Sequence, residues 1–171
     1  LFNSMNTLAF LIDLDQEKAK KFCRSFAQLY RSVLQLRDQQ LIDLSEEMRF
    51  VDLYLGLQSI RFDDTLSIEK RINPDAMEMG IPPFGLQTVV ENVIKHNIVS
   101  EDSPMQIHIE TQGDQLIVRN ILQKRDLGQV ESSGTGLTNL LARYELLGAQ
   151  PPQFGEEAGQ FVATLPLFPN G

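Results

Sequence analysis

The chain has 171 residues, of which 42% are hydrophobic and 22% charged, an ordinary composition for one globular domain or a small domain with a helical extension. The formal net charge of −8, with no basic stripe along the sequence, argues against a surface that binds nucleic acid. Cys23 is the only cysteine, which excludes a disulfide within the chain, and no apolar run is long enough for a membrane span or a signal peptide.

The first third of the sequence predicts helices. Residues 1–12 are rich in apolar side chains and compatible with a helix, and Asp15 is well placed to cap a second one. In that second helix apolar residues recur every three or four positions and form a narrow stripe, which consists of Ala19, Phe22, Phe26, Leu29, Val33 and Leu36. We expect this stripe to be exposed and to contribute to a homodimer interface.

A third helix is predicted from Ser45 to about Phe62, after a polar connector at residues 37–43. This helix is apolar nearly all round, so it needs more than one neighbour. It is either buried in the core of its own domain or packed between that domain and a partner chain. The second arrangement is favoured because two consecutive helices form a hairpin that cannot cover itself.

The remainder of the chain predicts an α+β domain. Apolar and polar residues alternate, as they do in strands, over residues 65–72, 105–118, 153–157 and 160–165. Helices are predicted over residues 81–97 and from Gly136 to Leu147, where Gly148 ends the second. The polar segment 121–134 is predicted to be a loop. These elements favour helices on one face of a mixed sheet.

The helix predicted over residues 81–97 has two chemically distinct faces. At about 100° per residue its apolar side chains fall on one side, whereas the other side carries Gln87, Thr88, Glu91, Asn92, Lys95 and His96. Residues four apart lie one above the other on a helix, which aligns Glu91 with Lys95 and Asn92 with His96. A base, a neutral oxygen ligand for a hard cation and a cation for phosphate are what a nucleotide site needs. The ordinary alternative is a solvated face on which Glu91 and Lys95 form a weak ion pair.

A second candidate feature lies where the polar loop meets the next helix, at Gly134, Thr135, Gly136 and Leu137. Backbone N–H groups at a helix N-terminus, next to glycines that permit close approach, can bind an anion. A lone pair of glycines is more often a simple loop end and helix cap. The sequence contains no phosphate-binding loop ending in Lys-Ser/Thr, no dinucleotide fingerprint, no Cys/His metal spacing and no convincing nucleophile with a base.

Four segments, in this order along the chain, resemble motifs of the LytS-type sensor histidine kinases, whose ATP-binding domain has the GHKL fold. Residues 1–6 are similar to the end of the phosphoacceptor motif Asn-Pro-His-Phe-Leu-Phe-Asn, and residues 44–62 to the second dimerisation helix. Residues 81–96 resemble the N-box, and residues 134–148 the segment that leads from the lid into a helix. The resemblance covers nearly the whole chain, and four motifs in order are far more specific than one.

The resemblance implies a domain organisation and a fold. Residues 1–62 would form a helical dimerisation hairpin, and residues 63–171 a GHKL ATP-binding domain. The fold class is then α+β, a two-layer sandwich of the Bergerat type with a mixed sheet. The phosphoacceptor histidine would fall just upstream of Leu1, so we expect this fragment of a longer protein to bind nucleotide without phosphorylating itself.

The resemblance also implies ATP and Mg²⁺ as cofactors and gives roles to individual residues. Asn92 would bind Mg²⁺ through its carboxamide oxygen, and Lys95 would reach the phosphates. Glu91 would act as general base or orient the attacking imidazole, with His96 helping to orient the site. The junction of loop and helix would cradle phosphate oxygens through the amides of Gly134, Thr135 and Gly136, next to Leu137.

One departure from the family pattern falls at the adenine site. The family commonly has an Asp-x-Gly-x-Gly motif, whose carboxylate accepts a hydrogen bond from the adenine amino group. Asn120 stands at the Asp position here, and the glycines are missing. An Asn carbonyl can still accept that hydrogen bond but more weakly than a carboxylate, so we expect weaker ATP binding, with Lys124 compensating from the lid.

The implied whole protein is a membrane-linked kinase. The γ-phosphoryl group would be transferred to a histidine and then to an aspartate on a response regulator, of the LytTR type. We expect a homodimer in the cytoplasm, part of an inner-membrane protein, held to the membrane only by segments outside this chain. Two alternatives stay open: a degenerate signalling dimer that binds nucleotide weakly or not at all, and a GHKL ATPase of the repair or chaperone kind.

Overall fold

The computed structural model describes residues 2–36, 38–62, 65–124 and 135–169. Three helices come first, namely α1 (Phe2–Leu14), α2 (Gln16–Leu36) and α3 (Leu44–Phe62). The carboxylate of Asp15 accepts hydrogen bonds from the backbone N–H groups of Glu17 and Lys18, both at 3.0 Å, which confirms the predicted cap of α2. Among the described residues no helix has both the length and the apolar character needed to cross a membrane.

The apolar stripe of α2 is covered by the chain's own helices. Phe22 is only 4% exposed and lies in a small cluster with Leu11 of α1, Ala19 of α2 and Leu57 of α3. Phe26 and Leu29 pack against the same cluster. The expectation of an exposed stripe is therefore wrong, because α1 and α3 both supply apolar partners within one chain. Among the side chains whose burial is described on these helices, the large apolar ones that stay exposed are Phe10, Ile12, Leu14, Tyr30 and Leu34.

Among the described residues, two further helices and a 3₁₀ turn follow α3, and seven strands are spread from residue 42 to residue 166. The helices are α4 (Gly85–His96) and α5 (Thr135–Leu146), and the turn spans Pro74–Glu78. The strands are β1 (Ile42–Asp43), β2 (Leu66–Arg71), β3 (Gly80–Ile81), β4 (Met105–Gln112), β5 (Gln115–Ile121), β6 (Gln153–Glu157) and β7 (Gln160–Pro166). Every element predicted after Phe62 is present, but the helix predicted from residue 81 begins only at Gly85, because Ile81 pairs with Ile42 in a short strand.

Five strands form one sheet in the order β2-β4-β5-β7-β6. The β2–β4 pair is parallel and the other pairs are antiparallel, which confirms the predicted mixed sheet. Alternate strand residues such as Ile107, Val118 and Leu165 are fully buried in the same core as Val89 and Val90 of α4. The apolar face of α4 is thus fixed against the sheet, and its polar face is directed away from the core.

The helix α3 shares this core. Leu44, Met48 and Val51 are buried in the same cluster as the apolar face of α4. The two-residue strand β1, just before α3, pairs with β3, just before α4. The domain boundary at residue 62 stays a prediction, but the hydrophobic core extends across it, so α3 is packed within its own chain. Packing of α3 against a partner chain also stays a prediction.

Candidate functional site

The polar face of α4 and the first turn of α5 border one cavity of about 220 Å³. Its lining consists of Thr88, Glu91, Asn92, Lys95, His96, Gly136 and Leu137. Two motifs that lie some forty residues apart in the sequence therefore meet in space. The approach is close, because a Cβ atom at Gly136 would lie 3.2 Å from Thr88 Cγ2. Gly136 thus leaves room where any larger residue would press against α4.

The side chains of α4 are presented to this cavity in different environments. Asn92 is half-buried, whereas Glu91 and Lys95 are exposed. Glu91 accepts a hydrogen bond of 2.8 Å from the carboxamide of Gln87, one turn earlier. In the described part of the chain Glu91 is bonded to Gln87 and not to Lys95, so the ammonium of Lys95 stays available to an anion. Gln87 is a residue that the sequence placed on the polar face without a role.

His96 stands beside Lys95 at the end of α4. Partial burial lowers the pKa of the imidazole, and the neighbouring positive charge of Lys95 lowers it further. The ring is therefore neutral at pH 7, when it can donate one hydrogen bond and accept another. It adds a neutral polar group to the cavity, and Lys95 supplies the positive charge.

Asn120 lies near the end of β5 on the face that carries the buried Leu116 and Val118, and it is only 1% exposed. Its Nδ2 donates to the backbone carbonyl of Ile121 at 2.8 Å. Its Oδ1 is buried and has no partner among the described residues. A buried acceptor without a donor costs free energy, so a donor group of a ligand would be favourable at this oxygen. Asn120 is not among the residues that line the 220 Å³ cavity.

The other predicted residues of the loop are placed differently. The Lys124 ammonium lies 2.7 Å from a carboxylate oxygen of Glu156, and this lysine does not line the cavity. Thr135 begins α5 and is exposed. Gly134 lies outside the described residues.

The C-terminal end of α4 is tied to the segment that follows β5. Asn97 is buried, and its Nδ2 donates to the carbonyl of Val93 at 2.8 Å. Its Oδ1 accepts from the backbone N–H of Gln123, also at 2.8 Å. The backbone N–H of Ile98 donates to the carbonyl of Gln123 at 2.7 Å. These bonds fix the chain next to the cavity just before the undescribed segment begins.

The N-terminal end of α4 is held by a residue that the sequence did not suggest. Glu47 of α3 is fully buried, and its carboxylate accepts hydrogen bonds from the backbone N–H groups of Phe84 at 2.8 Å and Gln87 at 3.1 Å. Burial raises its pKa to about 7, although these N–H groups and the charge of Arg143 oppose the shift. The available signal was an acidic residue between the buried Leu44 and Met48.

Among the described residues no group of three or more His, Cys, Asp or Glu side chains is placed to hold a metal ion. Asn92 lines the cavity, so its carboxamide oxygen could bind a hard cation together with oxygens of a ligand. That arrangement is ordinary for Mg²⁺, which usually keeps several waters and binds through one or two protein oxygens together with phosphates.

Comparisons with known proteins agree with the motifs. Residues 1–66 match the family model described as histidine kinase. The sensor protein LytS of Bacillus subtilis (strain 168) is 31% identical over 179 residues, which cover 96% of this chain and 29% of that protein. LytS of Streptococcus mutans serotype c is 36% identical over 163 residues, with 85% and 28% covered. The chain spans less than a third of the length of these relatives.

The fold agrees as well. The structure of the cytoplasmic segment of the histidine kinase QseC superposes with a TM-score of 0.54 at 16% identity, covering 88% of this chain and 92% of that one. At this identity the likeness concerns the fold alone. The two-layer arrangement of a mixed sheet with helices on one face is the GHKL type, as the sequence predicted.

Proposed function

We propose that this chain, which belongs to the LytS-type sensor histidine kinases, binds magnesium-ATP in the cavity between α4 and α5. The observation that carries the proposal is the meeting of Asn92, Lys95 and Gly136 around one cavity. A metal ligand, a cation and backbone amides at a helix start are together the groups that hold a triphosphate.

The phosphate end of the nucleotide would lie against α5. The first turn of α5, where Gly136 and Leu137 border the cavity, lies at the positive end of the helix dipole, which favours an anion. Lys95 would neutralise phosphate charge from the opposite wall, and the half-buried Asn92 would hold Mg²⁺ through its carboxamide oxygen. Mg²⁺ held at Asn92 would supply positive charge that offsets the negative charge of the phosphates.

The adenine end would reach Asn120. Because Nδ2 of this side chain is committed to Ile121, the amide orientation is fixed and Oδ1 presents an acceptor. The amino group of adenine can donate to it, whereas guanine has a carbonyl at the same ring position. We therefore propose a preference for ATP over GTP, with an affinity below that of relatives that have a carboxylate here.

The reaction proposed for the complete kinase is phosphoryl transfer to a histidine. A new N–P bond forms on the imidazole as the bond between the γ-phosphorus and the bridging oxygen breaks, and ADP leaves with that oxygen's charge. Glu91, oriented by Gln87, would accept the hydrogen bond of the other imidazole nitrogen and so favour attack. The target histidine, the response regulator and kinase activity itself belong to the whole protein and are proposals for it.

We also propose that the chain acts as a homodimer. The exposed apolar side chains Phe10, Ile12 and Leu14 on α1 and Tyr30 and Leu34 on α2 replace the predicted stripe as the candidate contact. Sedimentation of the chain with charged substitutions at Phe10 and Leu34 tests this, and an unchanged oligomeric state would contradict it.

A binding titration with matched variants tests the nucleotide proposal. Asn92→Ala removes the proposed Mg²⁺ ligand, so we expect magnesium-ATP affinity to fall at least about tenfold, roughly the effect of one metal ligand. Asn139→Ala, at an exposed position on α5 outside the cavity lining, is the control and should bind like the wild type. The degenerate alternative, favoured by Asn120 in place of Asp, predicts no saturable binding by any of the three proteins.

A further inference from the structure

The start of α4 is built without a capping side chain of its own. The residue before the helix, Phe84, has φ 62° in the left-handed region and makes no side-chain cap. For a residue other than glycine this conformation is strained and needs support from its surroundings. The support comes from α3, where Phe50 packs edge-on against Phe84 with ring centroids 4.7 Å apart, and where Glu47 binds the N–H of Phe84.

Glu47 thus does from another helix what an N-cap residue does locally. Its two carboxylate oxygens accept from separate backbone N–H groups, one before α4 and one in its first turn. Because the side chain is fully buried, water cannot replace it as the acceptor. The position and rotation of the first turn of α4 therefore depend on where α3 holds this carboxylate.

A short chain of hydrogen bonds leads from this carboxylate to the cavity. Glu47 binds the backbone N–H of Gln87, and the Gln87 carboxamide binds Glu91. Asn92 and Lys95 follow on the same rigid helix. We propose that Glu47 is a positioning residue through which α3 sets the orientation of the nucleotide-binding face of α4.

The turn before α4 is also held by α5. The Arg143 guanidinium of α5 donates to the carbonyl of Pro83 at 2.5 Å. Three elements, α3, α4 and α5, therefore meet within residues 83–87, next to the walls of the cavity. A shift of α3 would be transmitted to Glu91 and Asn92 without any change in the residues that touch the ligand, which gives the helical part of the chain a route to the proposed site.

The test rests on the proposed function and uses Glu47→Gln, with Glu46→Gln as the matched control. A Gln side chain keeps the volume but has one acceptor, so one of the two N–H groups would face an NH₂ group. We expect about tenfold weaker magnesium-ATP binding for E47Q and unchanged binding for E46Q, a half-buried neighbour that borders a different cavity, between α2 and α3. Binding by E47Q equal to the wild type would overturn the proposal.

A pH profile separates positioning from mere structural support. The groups that face Glu47 are the backbone N–H groups of α4 and, from α5, the Arg143 guanidinium and the Tyr144 hydroxyl. At about pH 8 the ionised carboxylate accepts both bonds, and at about pH 6 a proton occupies one oxygen. The magnesium-ATP affinity of the wild type should therefore fall more than that of E47Q when the pH is lowered from about 8 to about 6. Parallel pH profiles of the two proteins would contradict the proposal.

A spectroscopic measurement decides the case if E47Q does not fold. In the wild type the side-chain amide signal of Gln87 should shift with a midpoint near pH 7, and an unshifted signal would overturn the proposal. This readout needs no nucleotide. A wild type that fails to bind magnesium-ATP while the Gln87 signal titrates would therefore reject the proposed function and retain the positioning role.

Discussion

The two ends of α4 are held by buried polar side chains, of which one can ionise and the other cannot. At the N-terminal end a carboxylate from another helix, Glu47, binds two backbone N–H groups. At the C-terminal end the carboxamide of Asn97 binds one carbonyl and one N–H. A buried carboxylate costs free energy when ionised, whereas a neutral amide does not titrate. We therefore expect the N-terminal end of the proposed nucleotide-binding helix to respond to pH and to the position of α3, and the C-terminal end to respond to neither.

The pH dependence of stability gives the largest expected difference between these ends. The Glu47 pKa is raised from 4.5 to about 7 in the folded chain, so folding is favoured most below pH 4.5, and this contribution is lost as the pH rises through 7. The free energy of unfolding of the wild type, minus that of Glu47→Gln, should fall by about 3 kcal/mol between pH 4.5 and about pH 8. Urea titrations at both pH values measure this difference in unfolding free energy. A difference that does not change with pH would show that the two ends of α4 do not differ in their response to pH.

Asn97→Ala tests the other end. The substitution leaves the Val93 carbonyl and the Gln123 N–H without their partner in a buried place, so we expect a loss of about 2 kcal/mol in unfolding free energy. This loss should be the same at pH 5 and at pH 8, because no ionisable group is involved. Asn139→Ala, at an exposed position, should cost less than about 0.5 kcal/mol. A loss at Asn97 that varies with pH would show that the two ends do not differ as described.

Gly136→Ala probes the wall opposite the first turns of α4. The added methyl would lie 3.2 Å from Thr88 Cγ2, so the cavity must widen or α5 must shift slightly. We expect about threefold weaker magnesium-ATP binding, with stability unchanged or raised by up to about 1 kcal/mol from better helix propensity. Gly56→Ala in α3, where nothing lies within 4 Å of the new methyl, should give the same propensity gain with normal binding. Normal binding by both variants would place the ligand away from this wall.

Lys124→Ala has the smallest expected effect. Its ion pair with Glu156 joins two exposed side chains, and such pairs contribute less than about 0.5 kcal/mol. Because the ammonium lies on Glu156 and not in the cavity, we expect magnesium-ATP affinity to change less than twofold, within about 0.4 kcal/mol. A larger loss of affinity would mean that Lys124 leaves Glu156 for the nucleotide, as the sequence suggested.

Most of the fold could be predicted from the sequence, because the local patterns of caps, strands and turns are consistent with one another. The cap at Asp15, the alternating strands and the stop at Gly148, where φ is 65°, are all features of single segments. The two faces of α4 were equally visible, since the apolar side had to be buried. What local patterns do not contain is which distant element completes a site, so the cavity itself rested on the family resemblance.

The sequence failed where long-range contacts decide. The stripe on α2 has the spacing of a dimer seam, but Phe22 is buried by α1 and α3, which the pattern of one helix cannot reveal. Glu47 follows Glu46 in the first turn of α3, where acidic residues are ordinary, so this pair does not indicate a contact with α4. Its role depends on two N–H groups nearly forty residues away along the chain. The contact between Lys124 and ATP stays a prediction, and in this structure the Lys124 ammonium pairs with Glu156 on β6.

An NMR titration of the wild-type chain with magnesium-ATP is the most direct test of nucleotide binding between α4 and α5. We expect saturable shifts of the Asn92 side-chain amide and the Gly136 backbone amide with one common dissociation constant, because both groups border one cavity. GTP should shift these signals at higher concentrations, since Asn120 offers only an acceptor to the base. Signals at Asn92 and Gly136 that stay in place while others move, or that never saturate, would contradict the account.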